Sequence, residues 1–220
     1  MQIIINLLNK LNIKYKNLNY YIEAFTHPTY LNEKQLQGNS YQKLEFLGDA
    51  IFEFVVSEFL YKNYPNADEG DLTFIRQNIV NSKYFASIAK NLGLGECLLL
   101  GNGEEKSGAR DRDALLEDTL EAFIAAIYLD LGLDVCRPFI INLIKNDIKD
   151  TKDNKSVLQE FLQRSIEYRL ESETGPAHNK TFVCSAVVDN IVYGVGEGKT
   201  KKAAEQEAAK EALDILAKKQ

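Results

Sequence analysis

An all-α domain followed by a small α+β domain is the fold class that the sequence predicts, on three observations. Two long segments, residues 44–60 and 115–129, are apolar on nearly every side, as buried helices are. No period-two alternation, the mark of a half-buried strand, stands out before residue 150. Beyond it, Phe182, Cys184, Ala186 and Val188 alternate with Val183, Ser185 and Val187. At 220 residues the chain has room for one large domain or two small ones.

In chain order, residues 1–36 read as two helices, around Leu7, Leu8 and Leu11 and then Tyr21, Ile22, Ala24 and Phe25, with a break at Pro28. The apolar start lacks a basic stretch and a small-residue cleavage site, so a helix is expected there and not a signal peptide. Residues 37–40 form a loop, with Ser40 as the expected N-cap of a central helix that ends near Tyr64 and Pro65. Asp68, Glu69 and Asp71 crowd a turn into another helix, whose apolar face is Leu72, Ile75, Ile79 and Val80. A helix over residues 82–91 stops at Gly93. Residues 101–108 are a glycine-rich loop, and residues 113–131 a second nearly all-apolar helix. The boundaries expected are a first domain over residues 1–148, a polar linker over 149–155 and a second domain over 156–220. In the latter, residues 156–168 are helical and Thr174, Gly175 and Pro176 form a turn. Two strands meeting at Asp189 and Asn190 follow, then a long alanine-rich helix with Ala204, Ala208, Leu213 and Leu216 inside.

Composition narrows the function classes. The net charge of −6 sits in residues 1–150, with 15 Lys/Arg against 21 Asp/Glu; residues 151–220 carry 11 of each. Phosphate contacts need positive charge, so any nucleic-acid binding must come from local basic clusters. No apolar run approaches the roughly 20 residues of a membrane span. Cys97, Cys136 and Cys184 are odd in number and far apart, which favours reduced, buried thiols in a cytoplasmic protein over disulfides or a zinc site.

The chemistry-bearing residues are carboxylates on the two apolar helices. Glu45 and Asp49 lie four apart and share a face; Asp118 and Glu121, three apart, do the same. Ionised carboxylates in an apolar setting are costly unless paired with a cation. That cation is either Lys or Arg across a helix interface or a metal ion. Helical spacing also allows Glu117 to pair with Glu121.

Leu44-Glu45-Phe46-Leu47-Gly48-Asp49 resembles the signature of the ribonuclease III family. Asp68-Glu69-Gly70-Asp71, Gly95-Glu96-Cys97-Leu98 with Gly101-Asn102-Gly103-Glu104, and Glu117-Asp118-Thr119-Leu120-Glu121-Ala122 follow in that family's order. The C-terminal part is similar to a double-stranded-RNA-binding domain through Leu158-Gln159-Glu160, Gly175-Pro176-Ala177-His178 and Thr200-Lys201-Lys202-Ala203-Ala204. The match covers almost the whole chain in collinear order.

The resemblance implies an all-α endonuclease domain followed by an α-β-β-β-α RNA-binding domain, working as a homodimeric, Mg²⁺-dependent endonuclease of double-stranded RNA. Mn²⁺ is expected to substitute; no small-molecule cofactor or membrane partner is implied. It implies 5′-phosphate and 3′-hydroxyl product ends with short 3′ overhangs, from processing of structured precursors such as rRNA and mRNA. Carried over by position, Glu45, Asp49, Asp118 and Glu121 are metal ligands, with Asp49 and Glu121 catalytic. The match thus chooses Asp118 over Glu117. Glu69 and Asp71 correspond to a supporting acidic turn, with helix N-capping as the bland alternative. Phe46 corresponds to an aromatic that inserts into the partner subunit, against ordinary core packing. Gln159, Gln163 and His178 would meet RNA grooves, and Lys201 and Lys202 phosphates. His27 reads as a structural hydrogen-bonder, and Arg76 and Gln77 as either RNA-backbone contacts or surface groups. Gln42 departs from the family, many of whose members have Glu there, which bears on selectivity more than on catalysis.

Two other functions compete. A dimer that grips duplex RNA without cutting it would be favoured by loss of one of the four carboxylates, and all four are present. An all-α nucleotide phosphohydrolase would not need the Gln159, His178 and Lys201/Lys202 domain, and the histidine-rich metal motif often used for that chemistry is lacking.

Overall fold

The computed structural model describes residues 1–65, 67–150, 154–176 and 180–217, without the side chains at 71, 74, 78, 146–150, 156, 160 and 217. The chain forms two compact units, residues 1–63 with 76–147 and residues 64–75 with 148–220. In order come α1 (Gln2–Lys10), α2 (Leu18–Ala24), α3 (Pro28–Lys34), α4 (Gln42–Asn63), α5 (Glu69–Ile79), α6 (Ser82–Leu92), α7 (Asn102–Lys106), α8 (Asp113–Leu131) and α9 (Leu133–Asp150). Then follow α10 (Asn154–Leu162), β1 (Glu167–Thr174), β2 (Thr181–Val188), β3 (Ile191–Gly198) and α11 (Lys201–Ala217).

The first unit is built around α8, against which α2, α4 and α6 all pack. Its residues from Ala122 to Ile127 are all buried, and Phe123 meets Tyr21, Phe25 and Phe139 at ring-centroid distances of 6.0, 5.6 and 5.9 Å. Thr119, fully buried, satisfies its hydroxyl on the Leu115 carbonyl at 2.5 Å. At the far end of α8, Asp130 accepts from the backbone N–H groups of Lys16 and Asn17 and from the Tyr21 hydroxyl, at 2.9, 2.7 and 3.0 Å. This carboxylate clamps the chain at the entry to α2.

Several local expectations change. Pro28 begins a helix where a break was expected; proline at the first helical position loses no hydrogen bond, and His27 Nδ1 caps the turn by accepting from Thr29 N at 3.2 Å. Ser40 does not cap α4: its hydroxyl bonds Gln42 Oε1 at 3.3 Å, and the Tyr41 carbonyl takes the first helical N–H groups. The loop expected over residues 101–108 contains α7, whose first amides are held by the Glu33 carboxylate, at 2.8 Å from Asn102 N. Helix α9 runs through residues 149 and 150, the start of the expected linker. The all-apolar look of α4 does not mean burial all round: Phe46 is 82%, Phe54 53% and Tyr61 75% exposed, along one stripe.

In the second unit the sheet order is β1-β2-β3, antiparallel throughout, and α11 covers β2 and β3. The helix expected over residues 156–168 ends at Leu162; Gln163 takes φ 51° and the chain turns into β1, a strand that lacks apolar alternation. Asp189 and Asn190, at φ 50° and 65°, make the two-residue hairpin between β2 and β3. A Cβ on Gly196 would lie 2.2 Å from Ala208 N, so glycine on the strand and alanine on the helix let the two backbones close. The resulting core joins Leu158, Ala186, Ala208, Ala209 and Ala212.

Candidate active site

The site forms where α4 crosses α8. A Cβ added to Gly48 would lie 1.8 Å from the Glu121 carbonyl oxygen and 2.4 Å from its carbon, so the two backbones touch. Glu45 and Asp49 flank Gly48 on one helix; Asp118 and Glu121 stand at the crossing on the other. Asp49 is exposed, and the other three are half-buried. Among the described residues none of the four is bonded to Lys or Arg. Among the described residues the crossing thus holds no interhelical ion pair to these carboxylates.

Electrostatics couples the four. Burial, then the charges of Asp49, Glu117, Asp118 and Glu45, push the Glu121 carboxyl from an ordinary 4.5 up to about 8. Burial first, then Asp118, Glu117 and Asp49, raise Glu45. Burial raises Asp118 as well, opposed by a hydrogen bond that the Tyr41 hydroxyl donates to its Oδ2 at 3.1 Å. Burial and the nearby Asp118 push the Tyr41 phenol far above its ordinary range, so it stays a donor. Glu117 is differently placed, accepting from the Ser82 hydroxyl at 2.9 Å.

An all-oxygen, mutually repelling, uncompensated donor set fits a hard divalent cation such as Mg²⁺. Among the described residues no three His, Cys, Asp or Glu side chains are gathered closely enough to hold a metal ion as they stand.

The remaining candidates are dispersed. Glu69 is exposed at the start of α5, while the Asp71 side chain and His178 lie outside the described residues. Gln159 is exposed on α10, but Gln163 lies past its end; its N–H closes the last turn on the Gln159 carbonyl at 2.9 Å. The two glutamines do not project from one helix as the spacing suggested. Lys201 and Lys202 open α11, after Thr200, whose Oγ1 accepts from Ala203 N at 3.1 Å. Lys202 bonds Asp68 Oδ1 at 2.8 Å. Arg76 donates to Ser57 Oγ at 3.0 Å. Sequence reasoning missed Tyr41 altogether: nothing in residues 39–41 signals a side chain that reaches α8.

Comparison with known proteins matches this architecture. Residues 17–148 match the Ribonuclease-III-like family and residues 154–216 the Double-stranded RNA binding motif. Ribonuclease 3 of Halalkalibacterium halodurans is 44% identical over 97% of this chain and 85% of that protein. Ribonuclease 3 of Bacillus cytotoxicus is also 44% identical, over 94% and 89% respectively. The crystallised nuclease domain of ribonuclease III from Campylobacter jejuni, 35% identical, superposes with a TM-score of 0.61 over 67% of this chain and 97% of that one. A second structure of that domain, 36% identical over 64% of this chain and 94% of that one, has a TM-score of 0.59 and shows flexibility in a region involved in dimer formation. A nuclease domain of this kind joined to a duplex-RNA-binding motif defines an endoribonuclease specific for double-stranded RNA. The chain belongs to the ribonuclease III family.

Proposed function

We propose that this enzyme hydrolyses double-stranded RNA with Mg²⁺, or Mn²⁺ in its place, leaving 5′-phosphate and 3′-hydroxyl ends with short 3′ overhangs. Its substrates are structured precursors such as rRNA and mRNA, processed in the cytoplasm by a homodimer that cuts opposite strands. Among the described residues, no helix is long and apolar enough to cross a membrane. The domains proposed are catalytic over 1–148 and RNA-binding over 156–220, joined by 149–155.

The observation that carries this reading is the set of four carboxylates at the α4–α8 crossing, unneutralised by Lys or Arg among the described residues. Glu45, Asp49, Asp118 and Glu121 would hold the cation, with Asp49 and Glu121 closest to the chemistry. A bound Mg²⁺ supplies Lewis-acid polarisation of the phosphodiester and a more acidic water. The protein keeps the carboxylates aligned through the close helix crossing, and Glu121, whose carboxyl burial and its neighbours push up to about 8, would release its proton to solvent as the cation binds. Glu69 and Asp71 would support the site from an acidic turn. Gln159, Gln163 and His178 would read duplex shape, and Lys201 and Lys202 would clamp phosphates beside the start of α11.

The test is cleavage of a long perfect RNA duplex with Mg²⁺, Mn²⁺ or EDTA, with product ends mapped. Cutting that requires metal and leaves the stated ends supports the reading; an intact duplex that is nonetheless bound would leave a binding protein. In gel shifts, Lys201→Ala/Lys202→Ala should bind duplex about 10-fold more weakly near physiological salt, with a salt slope shallower by about 2. An unchanged slope would remove both lysines from the interface.

Dimerisation is proposed through the exposed stripe of α4. Phe46, Phe54 and Tyr61 are large apolar side chains that a second copy would cover, with Phe46 as the inserted aromatic. Phe46→Glu should turn a dimer into a monomer in sedimentation velocity without lowering helix content. A dimer that survives this change would place the interface elsewhere.

A further inference from the structure

We infer that Tyr41 is a positioning residue, whose phenol O–H ties down Asp118 Oδ2 and leaves Oδ1 for a cation. The inference rests on the reading of the α4–α8 carboxylates as a metal site. Tyr41 is 6% exposed and touches both helices that carry those carboxylates. Its carbonyl accepts the N–H of Leu44 and of Glu45, each at 2.9 Å, which starts α4. Its hydroxyl reaches across to Asp118 Oδ2 on α8 at 3.1 Å. One residue thus fixes the backbone of one proposed ligand and the carboxylate of another.

The support extends behind it. Tyr41 N donates to the Thr26 carbonyl at 3.0 Å, and Thr26 forms an isolated parallel bridge with Leu99. The Tyr41 ring lies against the His27 imidazole, centroids 5.7 Å apart. That imidazole is held by Thr29, whose N–H points at Nδ1 and whose Oγ1 sits 2.8 Å from it. Side chain and main chain of Tyr41 are both pinned, so its hydroxyl has little freedom to leave Asp118. A carboxylate held by such an outer partner offers its remaining oxygen in one orientation, and loss of such partners commonly weakens metal binding or activity about 10- to 100-fold.

Tyr41→Phe keeps the ring and removes one oxygen, which separates positioning from packing. In the full-length protein we expect the Mg²⁺ concentration for half-maximal duplex cleavage to rise about 10-fold, with the rate at saturating Mg²⁺ within about threefold of wild type. Mn²⁺ affinity without RNA, read by calorimetry, should fall by a similar factor. Duplex binding in EDTA should stay unchanged. Wild-type Mg²⁺ and Mn²⁺ titrations in Tyr41→Phe would overturn the inference, even if the variant melts at a lower temperature in EDTA, because the hydrogen bond to Asp118 would then serve the fold alone. A wild type that fails to cut with either metal would instead overturn the metal-nuclease reading and this inference with it. An active wild type paired with an unaffected variant overturns the positioning role alone.

Discussion

Glu121→Gln is expected to lower Mg²⁺-dependent cleavage of duplex RNA by about 1,000-fold or more while leaving duplex binding in gel shifts unchanged. The amide keeps the side chain's size but removes the charge that a divalent cation needs. It also removes an electrostatic burden. Burial and four neighbouring carboxylates raise the wild-type carboxyl from 4.5 to about 8 in the folded state. The folded protein then holds that proton more tightly than the unfolded chain does, so the stabilisation is complete below pH 4.5 and is lost as pH rises to about 8. In metal-free buffer at pH 8, Glu121→Gln should therefore be more stable than wild type by about 1–3 kcal/mol, a difference that disappears near pH 4.5. Urea denaturation at both pH values checks this, and added Mg²⁺ should stabilise wild type only. An inactive variant that gains no stability at pH 8 would mean that the cluster is better solvated than its burial suggests. A variant that still cuts would remove Glu121 from the site.

Gly48→Ala should be the most destabilising single-methyl change at this site. The added carbon would meet the Glu121 carbonyl at 1.8 Å, a rigid backbone group that cannot swing aside. Helices α4 and α8 would have to separate, at a cost of about 3 kcal/mol or more, at the upper end of overpacking effects. Activity should fall further than stability, because the shift pulls Glu45 and Asp49 away from Asp118 and Glu121. Gly103→Ala is the control: no atom lies within 4 Å of its added carbon, and a helical alanine there should be neutral or slightly stabilising. Equal melting points for the two variants would contradict the close crossing.

Much of this was legible in the residues. The two apolar helices, the boundaries of α8 at Asp113 and Leu131 and the Asp189–Asn190 hairpin follow from periodicity and turn chemistry. The four carboxylates could be paired by spacing, but only the resemblance chose Asp118 over Glu117; the two occupy adjacent positions on one helix, and spacing cannot say which one faces Tyr41 and which Ser82. A third strand came only from the resemblance, because along β1 Glu167, Arg169, Glu171 and Glu173 alternate with mixed neighbours on a largely exposed edge, so no apolar period marks it. Phe46 and Phe54 look like core in the sequence because hydropathy does not say which sides of α4 stand exposed; only the resemblance set Phe46 apart as a dimer contact. Tyr41 was invisible for a different reason: its partner lies 77 residues away, and only the tertiary crossing brings them together.

The central place of α8 has a consequence for biosynthesis. Helices α2, α4 and α6 all lean on a segment that leaves the ribosome after them. At 5–20 residues per second, the roughly 70 residues between the end of α4 and the end of α8 take roughly 3 to 14 s to make. During that interval the nascent chain displays oily helices with no platform to dock on. Chaperone capture should peak there and end abruptly once Leu131 clears the exit tunnel.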